Sequence, residues 1–391
     1  MLSSRRWKLA SVLLALVVAG LAVAACGSSG GSSTGSGGGS TTASGGGNFD
    51  AAALAKAKAA IAPYTGHPSA FPVTEPLKKK LPKGAVIDFM DCGTPVCALF
   101  RQLVTPAAQA MGVQLKVIKA GATADSVNAA FNTVAQQKPA AVINTALDPI
   151  EWQQALQKLK AEKVPIITTG VVDGAKYGLT TYPNAVLFGY DVSALSGKLQ
   201  ADWTYVHYGK KANVQFNWVP ELSFSAVIRD AFVKEMKALC PDCKVHLLKI
   251  PVATLGNKAP QLIVSDLQAH PDTNVVVGTN SEQLIGLPAA LSTAGLKVGT
   301  LGGAASPVNL QYIKNGQQTA DLALDLPVLS WALVDAAVRG ATGQPITGLE
   351  AKGLPPEQFL TKEDITFDPS KGWTGYPDFA QRFMKLWSAA K

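Results

Sequence analysis

KPAAVINTALDP at residues 138–149 and DTNVVVGTNSEQ at residues 272–283 follow the same order of residue types. Each stretch runs from a polar loop through a continuous apolar run to polar residues, and a sequence of helical period follows. A continuous apolar run between such signals is typical of a strand that is buried on both faces, as in parallel sheets. The two stretches therefore predict two similar parallel sheets in one chain.

Short β-branched runs alternate with amphipathic stretches on both sides of these segments, which predicts βαβ units. In the first half we expect strands at 85–90, 113–120, 140–145 and 164–168, and helices at 95–112, 124–137 and 149–163. An irregular stretch at 170–191 follows. In the second half we expect helices at 192–208, 224–239, 260–269 and 281–294, and strands at 212–216, 244–250, 274–278 and 297–302. The predicted fold class is α/β, with two lobes that each contain a doubly wound parallel sheet.

Polar residues follow both apolar runs, at the predicted carboxyl ends of strands. In an open α/β sheet, ligands bind beyond these ends, where loops lead into helices with free backbone N–H groups. Two such sheets that face each other would form a cleft between their strand ends. We therefore expect a ligand site between the two lobes.

The N-terminal region differs in composition from the rest of the chain. Three basic residues precede an apolar run at 9–25, whose last residues lead into Cys26 as VAAC. This order resembles a bacterial lipoprotein signal, with residues 1–25 as the signal peptide and Cys26 as the lipidated residue. A transmembrane anchor is the alternative, since the run is close to the shortest length that crosses a bilayer. Gly, Ser and Thr dominate the predicted tether at 26–48, and a helical segment at 49–83 leads into the first lobe.

The net charge of the 391 residues is +8, and it falls to +5 without the three basic residues of the signal peptide. The remaining charges are scattered, apart from lysines at 78–80 and 83, which we interpret as a solvated segment. No basic helix-turn-helix pattern precedes residue 84. Both observations argue against nucleic acid as a partner and against a repressor.

Four further cysteines form two close pairs, Cys92 with Cys97 and Cys240 with Cys243. In the oxidising compartment that export implies, two local disulfides are the simplest assignment. A four-cysteine zinc site is the alternative, although the pairs fall in different predicted lobes. A thioredoxin-like redox role is disfavoured, because that motif begins a helix whereas the second pair follows one.

The sequence shows no catalytic or cofactor motif. It lacks the GxSxG nucleophile elbow, the GxxxxGK[ST] phosphate loop and the HExxH zinc motif. The four histidines have no ligand spacing, and we interpret each as a surface or capping residue. They are His67, His207, His246 and His270. We therefore predict no catalytic residue, no metal and no cofactor, with an exported enzyme of scattered catalytic residues as an alternative.

Three segments resemble the type I periplasmic solute-binding proteins of ABC importers, especially the ribose-binding-like sugar group. They are AVIDFMDCGTPVCALFRQLVTPAAQAMG at 85–112, KPAAVINTALDP...LKAEKVPIITTG within 138–170, and HPDTNVVVGTNSEQLIGLPAALSTAGL at 270–296. The third segment is the most specific, since an Asn after this strand and a helix leading to TAG are typical of the group. The resemblance covers about residues 84–368.

This resemblance implies two α/β lobes that are joined by a three-crossover hinge and close on a ligand. The first lobe would contain residues 84–190 and 326–360, and the second would contain residues 191–325 and 361–391. The crossovers would fall near residues 190–191, 325–326 and 360–361.

The resemblance also implies which residues contact the ligand. Sugar-binding members hold hydroxyl groups with charged residues and stack sugar rings on aromatics. This sequence differs at several of those charged positions, with Gly170-Val171, Ala226 and LGGAA at 301–305, so its site would be less charged than a pentose site. The implied ligand-binding residues are Met90, Asp91, Thr94, Asn144, Asp148, Asn217, Trp218, Phe224, Asn280 and Asp325.

Several of these residues have a structural role as the alternative. Trp218 and Phe224 could pack in the core of a lobe, because aromatics are buried for packing as often as for stacking. Asp148, Asn280 and Asp91 could instead cap the helices that follow them.

The function implied by the resemblance is that of a lipid-anchored, extracytoplasmic substrate-binding component of an ABC importer. Its ligand would be a small sugar or polyol, with a less polar molecule, aromatic or nucleoside-like, as the alternative. A ligand sensor for a signalling receptor would have the same fold and pocket. The expected partners are the small-molecule ligand and an ABC permease in the membrane, and the protein is expected to be a monomer.

Overall fold

A computed structural model describes residues 47–68, 70–121, 123–353 and 357–390. The predicted signal peptide, Cys26 and all but the end of the predicted tether lie outside the described residues. Within the described part of the chain, no helix has both the length and the apolar character that are needed to cross a bilayer. The first described helix is α1 (Ala51–Ile61), which begins where the Asp50 carboxylate accepts a hydrogen bond from the Ala53 amide.

Five parallel strands form the sheet of the first lobe. In chain order, its elements are β1 (Val86–Asp91), α2 (Pro95–Met111), β2 (Gln114–Lys119), α3 (Ala124–Gln137), β3 (Ala141–Thr145), α4 (Gln153–Ala161), β4 (Ile166–Thr169) and β5 (Ala185–Phe188). The strands lie in the order β2-β1-β3-β4-β5. Every residue of the central strand β3 is buried, as its apolar run predicts, whereas the edge strand β2 has mostly exposed or half-buried side chains.

Six strands form the sheet of the second lobe. Its elements are α5 (Tyr190–Tyr208), β6 (Asn213–Trp218), α6 (Ser223–Leu239), β7 (Lys244–Lys249), α7 (Ala259–Ala269), β8 (Val275–Gly278), α8 (Leu287–Ala294), β9 (Gly299–Gly303), α9 (Pro307–Lys314) and β10 (Ala320–Leu324). The chain continues with α10 (Leu326–Thr342), α11 (Gly348–Lys352), β11 (Glu357–Leu360) and α12 (Phe379–Ser388). The strand order is β11-β10-β9-β8-β6-β7, and β11 is antiparallel to β10.

The two sheets confirm the predicted α/β fold class, and three local predictions need correction. The helix predicted at 149–163 is divided at Trp152 into a 3-10 turn, Pro149–Glu151, and α4. The stretch at 170–191, predicted to be irregular, contains β5, which pairs with β4. The helix predicted at 281–294 is divided into a 3-10 turn, Ser281–Leu284, and α8. The division follows from Gly286, which has φ 84° and breaks the helix before α8 begins at Leu287, with Pro288 in its first turn.

Two C-terminal elements lie in the lobe opposite to the predicted one. β11, which falls in the range 326–360 predicted for the first lobe, pairs with β10 in the second sheet. α12, which falls in the range 361–391 predicted for the second lobe, packs in the core of the first lobe. Trp387 of α12 stacks on Trp331 of α10 with ring centroids 5.2 Å apart. Between these elements the chain crosses from one lobe to the other.

A buried polar anchor is the physical reason for the position of α12. The Trp387 indole Nε1 donates a hydrogen bond to a carboxylate oxygen of Asp335 at 2.5 Å. Arg339, one turn further along α10, pairs with the other oxygen of the same carboxylate. Because a buried carboxylate must be paired and hydrogen-bonded, this contact fixes α12 to the first lobe.

The segment at 49–83 contacts both lobes. Its helix α1 packs on α5 of the second lobe, where the Asp50 amide donates to the Tyr205 hydroxyl at 2.8 Å. Further along the segment, Val73 and Leu77 are buried in the core of the first lobe. The segment is therefore part of the folded body and adds a contact that spans both lobes.

Both predicted disulfides are present, Cys92–Cys97 after β1 and Cys240–Cys243 after α6. Each joins residues of one lobe, with Cα atoms 5.7 Å and 5.3 Å apart respectively. Because all four thiols are consumed in disulfides, they are not the ligands of a shared zinc site.

Candidate ligand-binding site between the lobes

A cavity of about 90 Å³ lies between the two lobes, at the carboxyl ends of the strands. The first lobe contributes Val96 and Phe100 of α2, Ala146 after β3, Gly170 after β4, Phe188 of β5 and Leu326 of α10. The second lobe contributes Ser196 and Gln200 of α5, Phe224 and Ile228 of α6, Asn280 after β8 and Glu357 of β11. We call these two sets the first-lobe wall and the second-lobe wall.

The first-lobe wall is apolar and closely fitted to its neighbours, and Thr145 and Thr169 are the polar residues that the same lobe adds to the lining. Its Phe188 ring meets Phe224 of the opposite wall edge to face, with centroids 6.1 Å apart. Gly170 has φ 75°, and a Cβ atom there would lie 2.9 Å from the Ala146 Cβ and 3.4 Å from the Phe224 ring. Glycine is therefore required at this position by both conformation and space.

Backbone strain occurs at matched positions of the two lobes. Ala146 follows β3 with φ 57°, and Ala304 follows β9 with φ 59°, and both residues line the cavity. Their amides donate to the next strand, Ala146 to the Thr169 carbonyl at 2.7 Å and Ala304 to the Leu322 carbonyl at 2.9 Å. Positive φ is unfavourable for alanine and such conformations concentrate at binding sites, which supports this cavity as the functional site.

The second-lobe wall carries buried polar atoms that have no partner among the described residues. The Gln200 amide nitrogen donates to the carbonyl oxygens of Gly278 at 2.9 Å and Gly302 at 3.2 Å, which fixes the side chain. Its Oε1 atom is buried without a hydrogen bond, and so is Oδ1 of Asn280. The wall therefore offers two free acceptors, and that of Gln200 is held in position by the hydrogen bonds of its amide nitrogen.

Glu357 adds a carboxyl group to the same wall. It is buried, and the Ser196 hydroxyl donates to its Oε1 at 2.8 Å. Burial raises the pKa of Glu357 to about 8, because the charged form loses its hydration, and the Ser196 hydrogen bond offsets only part of this effect. At neutral pH the group is mainly a neutral acid, which can donate as well as accept a hydrogen bond.

Two carboxylates hold the lobes together at the rim of the cavity. The Ser223 hydroxyl of the second lobe donates to Asp148 of the first lobe at 2.7 Å. The Val96 amide of the first lobe donates to Glu282 of the second lobe at 2.6 Å. Burial raises the pKa of both Asp148 and Glu282. The structure therefore shows the lobes in contact around the cavity, and each lobe donates one of the two hydrogen bonds.

The structure places only some of the sequence-implied site residues at the cavity. Phe224 and Asn280 line it. Met90 is fully buried in the core of the first lobe. Trp218 is covered by the Arg229 guanidinium, which lies 4.0 Å from the ring centroid, and the ring is therefore not a free stacking surface.

Other implied residues have structural contacts instead. Asp91 forms an ion pair with Arg101 at 2.8 Å, and Thr94 is the residue before α2. Asn144 and Asn217 are fully buried outside the lining of the cavity. Asp148 forms the rim contact described above and does not cap the turn that follows it, since that turn lacks a side-chain cap.

Asp325 stabilises the crossover region rather than the cavity lining. One oxygen accepts from the Val328 amide and so caps α10 at 3.0 Å. The other oxygen accepts from the Thr374 hydroxyl at 2.9 Å and from the Gly375 amide at 2.8 Å. Asp325 thus joins two crossings between the lobes, and burial raises its pKa to about 7.

Sequence reasoning missed most of the second-lobe wall. Ser196 and Gln200 lie on α5 and Glu357 lies on β11, so none of them follows a strand in the aligned loops. On the first-lobe wall, Phe188 was missed because β5 was not predicted. One signal was available: Phe188-Gly189 ends an apolar run in the stretch at 170–191.

Comparison with known proteins assigns the family. The chain matches the periplasmic binding protein domain over residues 89–345. The chain belongs to this family. This family is a non-enzymatic class of extracytoplasmic solute-binding proteins, and the two α/β lobes have its type I fold. No curated protein sequence matches this binding protein significantly.

Solved structures of similar fold include three solute-binding proteins of transporters. A 5-methylthioribose-binding protein from Thermotoga lettingae has a TM-score of 0.63 at 17% identity and covers 80% of this chain and 99% of its own. An arabinose-transporter component from Shewanella sp. ANA-3 has a TM-score of 0.62 at 17% identity, covering 77% and 98%. A protein from Actinobacillus succinogenes with bound D-allose has a TM-score of 0.60 at 22% identity, covering 72% and 99%. At these identities the likeness concerns the fold of the binding protein.

Proposed function

We propose that this periplasmic binding protein is the lipid-anchored capture component of an ABC importer. Residues 1–25 are removed, Cys26 carries the lipid, and the tether at 26–48 lets the folded body move above the membrane. The VAAC sequence and the Gly, Ser and Thr composition of the tether support this part of the proposal. The protein acts as a monomer that delivers its ligand to a permease.

One observation carries the capture role, namely the free polar atoms between the lobes. Oε1 of Gln200 and Oδ1 of Asn280 are buried without a protein partner, at the lining of the same cavity. A buried polar group without a partner costs about 1–3 kcal/mol. A ligand hydroxyl or amine that donates to these oxygens removes this cost, which supports a ligand site rather than a purely structural interface.

The walls favour a compact, neutral ligand with one polar edge and one apolar face. Free polar groups come from the second-lobe wall, whereas Phe100 and Phe188 of the first-lobe wall offer apolar surface. Among the described lining residues there is no Lys, Arg or His, and Glu357 is mainly uncharged at neutral pH. A fully hydroxylated hexose needs a partner for every buried hydroxyl, and this cavity does not offer partners all round.

We therefore propose a small sugar derivative with an apolar substituent as the ligand. The similar structures hold sugars that differ in polarity, and 5-methylthioribose, bound by one of them, carries an apolar thioether on a pentose. An aromatic or nucleoside-like molecule is the second candidate, because the apolar first-lobe wall suits it equally.

Thermal-shift measurements on the purified protein test the ligand class. Ribose and 5-methylthioribose form a matched pair that differs in the apolar substituent. D-allose extends the series to a more hydroxylated ligand, and adenosine extends it to a less polar, aromatic one. A ligand that binds only the folded state at 100 times its Kd stabilises that state by about 2.7 kcal/mol, which raises Tm. We expect a larger rise with 5-methylthioribose than with ribose. A rise with D-allose alone would overturn the proposed ligand class.

Fractionation of cells that express the Cys26→Ser variant tests the anchor. The wild-type protein is expected with the membranes and without residues 1–25. The variant, which has no thiol for the lipid, is expected to lose this lipid-dependent processing while its folded body keeps the same ligand affinity. Unchanged processing and lipid labelling of the variant would contradict the anchor.

A further inference from the structure

Two histidines and an aspartate that are distant in sequence meet on the outside of the second lobe. His246 lies on the edge strand β7, while Asp266 lies on α7 and His270 directly follows that helix. Their donor atoms all lie within 4.8 Å of one another. His246 Nε2 is 2.8 Å from Asp266 Oδ2, and His270 Nδ1 is 3.5 Å from the same oxygen. Sequence spacing did not indicate this cluster, because His246 and His270 are 24 residues apart and on different elements.

The surrounding backbone fixes this cluster. Asp266 and His270 are one helical turn apart, so their side chains share one face of α7. Gln215 pairs in register with His246 across β6 and β7, and its amide nitrogen donates to Asp266 Oδ2 at 2.5 Å. Such a contact orients a carboxylate in the way that second-shell partners orient metal ligands.

The donor set has the chemistry of a transition-metal site. Two imidazole nitrogens and one carboxylate oxygen are ligands that Zn²⁺ uses in three-ligand sites with an open position. With Zn–N and Zn–O distances of about 2.0–2.2 Å, tetrahedral ligands are about 3.4 Å apart, which the 3.5 Å separation of His270 and Asp266 matches. The 2.8 Å contact of His246 with Asp266 and the 2.9 Å contact of His270 Nδ1 with the Asp266 carbonyl oxygen are hydrogen bonds, which a bound ion would replace. The side chains of His246, Asp266 and His270 are 24%, 19% and 50% exposed, which leaves access from solvent.

We propose that His246, Asp266 and His270 bind a divalent transition-metal ion, with Zn²⁺ preferred, and that the ion joins β7 to α7. The site is separate from the ligand cavity. His246 is the third residue of β7, whereas the cavity lies beyond the carboxyl ends of the strands, and none of the three residues lines it. Metal binding therefore stabilises the second lobe without changing the affinity for the captured ligand.

Equilibrium dialysis of the purified protein, produced without a histidine tag, against Zn²⁺ and Mg²⁺ tests this proposal. Metal content by mass spectrometry is expected to saturate at one Zn²⁺ per chain, with no comparable uptake of Mg²⁺, because nitrogen donors favour zinc. Zn²⁺ is also expected to raise Tm, because the ion binds the folded site and not the unfolded chain.

Variants separate this site from non-specific binding. His270→Ala changes a half-exposed side chain, so the protein should fold normally and lose more than about 10-fold in zinc affinity. Asp266→Asn should have a similar effect, and His67→Ala removes an exposed histidine elsewhere as the matched control. Two results would overturn the proposal: no saturable zinc binding by the wild type, or equal zinc affinity in folded His270→Ala and Asp266→Asn variants. Ligand-induced thermal shifts measured on the same variants report independently on the interlobe site.

Discussion

The two walls of the interlobe cavity contribute different kinds of interaction. The first-lobe wall is built from Val96, Phe100 and Phe188 around the small residues Ala146 and Gly170. The second-lobe wall carries the polar groups Ser196, Gln200, Asn280 and Glu357, two of which keep free acceptor atoms. The difference indicates that one lobe supplies shape and apolar contact while the other supplies orientation and specificity. Closure is then needed to bring both kinds of interaction to one ligand.

The largest effect is expected from Glu357→Gln, in the pH dependence of stability. Burial raises the pKa of Glu357 to about 8 from the ordinary value of 4.5, so the folded protein keeps a proton that the unfolded chain releases. The stability that this proton provides is fully present below about pH 4.5 and is lost as the pH rises through about 8. Integrated over this window, the loss reaches about 5 kcal/mol. Urea unfolding from pH 5 to 9 should show a steeper decline for the wild type than for the variant.

Glu221→Gln is the control for this experiment, because it makes the same chemical change at an exposed position. Asp202, Asp321 and Asp325 also have pKa values raised to about 7 by burial, so all variants should share a background decline. If the stability of the wild type and that of Glu357→Gln declined equally between pH 5 and pH 9, Glu357 would be ionised in the folded protein.

On the first-lobe wall, Phe188→Ala is expected to weaken ligand binding by about 30-fold, equivalent to about 2 kcal/mol of lost contact. Phe188→Leu keeps most of the apolar volume, so its loss of ligand affinity should be much smaller if shape alone matters. Isothermal titration with the ligand found by thermal shift measures both variants. Equal affinities for the wild type and Phe188→Ala would mean that this wall does not contact the ligand.

On the second-lobe wall, Asn280→Ala is expected to weaken binding by about 10-fold, because a ligand donor then loses its acceptor. The loss should appear only with ligands that carry a hydroxyl or amine at their polar edge. Asn315→Ala, an exposed change in the same lobe, is the control. An undiminished affinity across hydroxylated ligands would remove Asn280 from the site and weaken the contrast between the walls.

The smallest effect is expected at the rim, from Ser223→Ala. The change removes the hydroxyl that donates to Asp148 across the lobes, worth about 1 kcal/mol. Small-angle scattering of the ligand-free variant should show a larger mean radius of gyration, and ligand affinity should fall about 5-fold. Ser292→Ala, at an exposed position, should change neither. A variant that scatters and binds like the wild type would show that this contact does not contribute to closure.

The parts of the fold that local sequence specifies were predictable. The apolar runs in 138–149 and 272–283 became β3 and β8 because a continuous apolar run has few alternatives to burial on both faces. The position of α12 was not predictable in this way, since its amphipathic sequence suits either lobe. Only the contacts of Trp387 with Trp331 and Asp335 decide it.

The candidate site residues divide in the same way, into those that local sequence predicts and those that only tertiary contacts place. Phe224 and Asn280 line the cavity and follow strands in loops that the resemblance aligns, since chain direction alone brings such loops to one edge of a sheet. Asp325 was misplaced because an aspartate before a helix has the same local sequence whether it meets a ligand or, as here, Thr374 and Gly375.

By itself, the sequence determined two parallel-sheet lobes, a cleft between their strand ends and two local disulfides, since each of these depends on residues that are close in the chain. Only the tertiary structure decided which side chains face the cavity, which lobe holds β11 and α12, and that His246 and His270 meet. These features depend on contacts between residues far apart in sequence, and their energies depend on burial. No local sequence pattern predicts this burial.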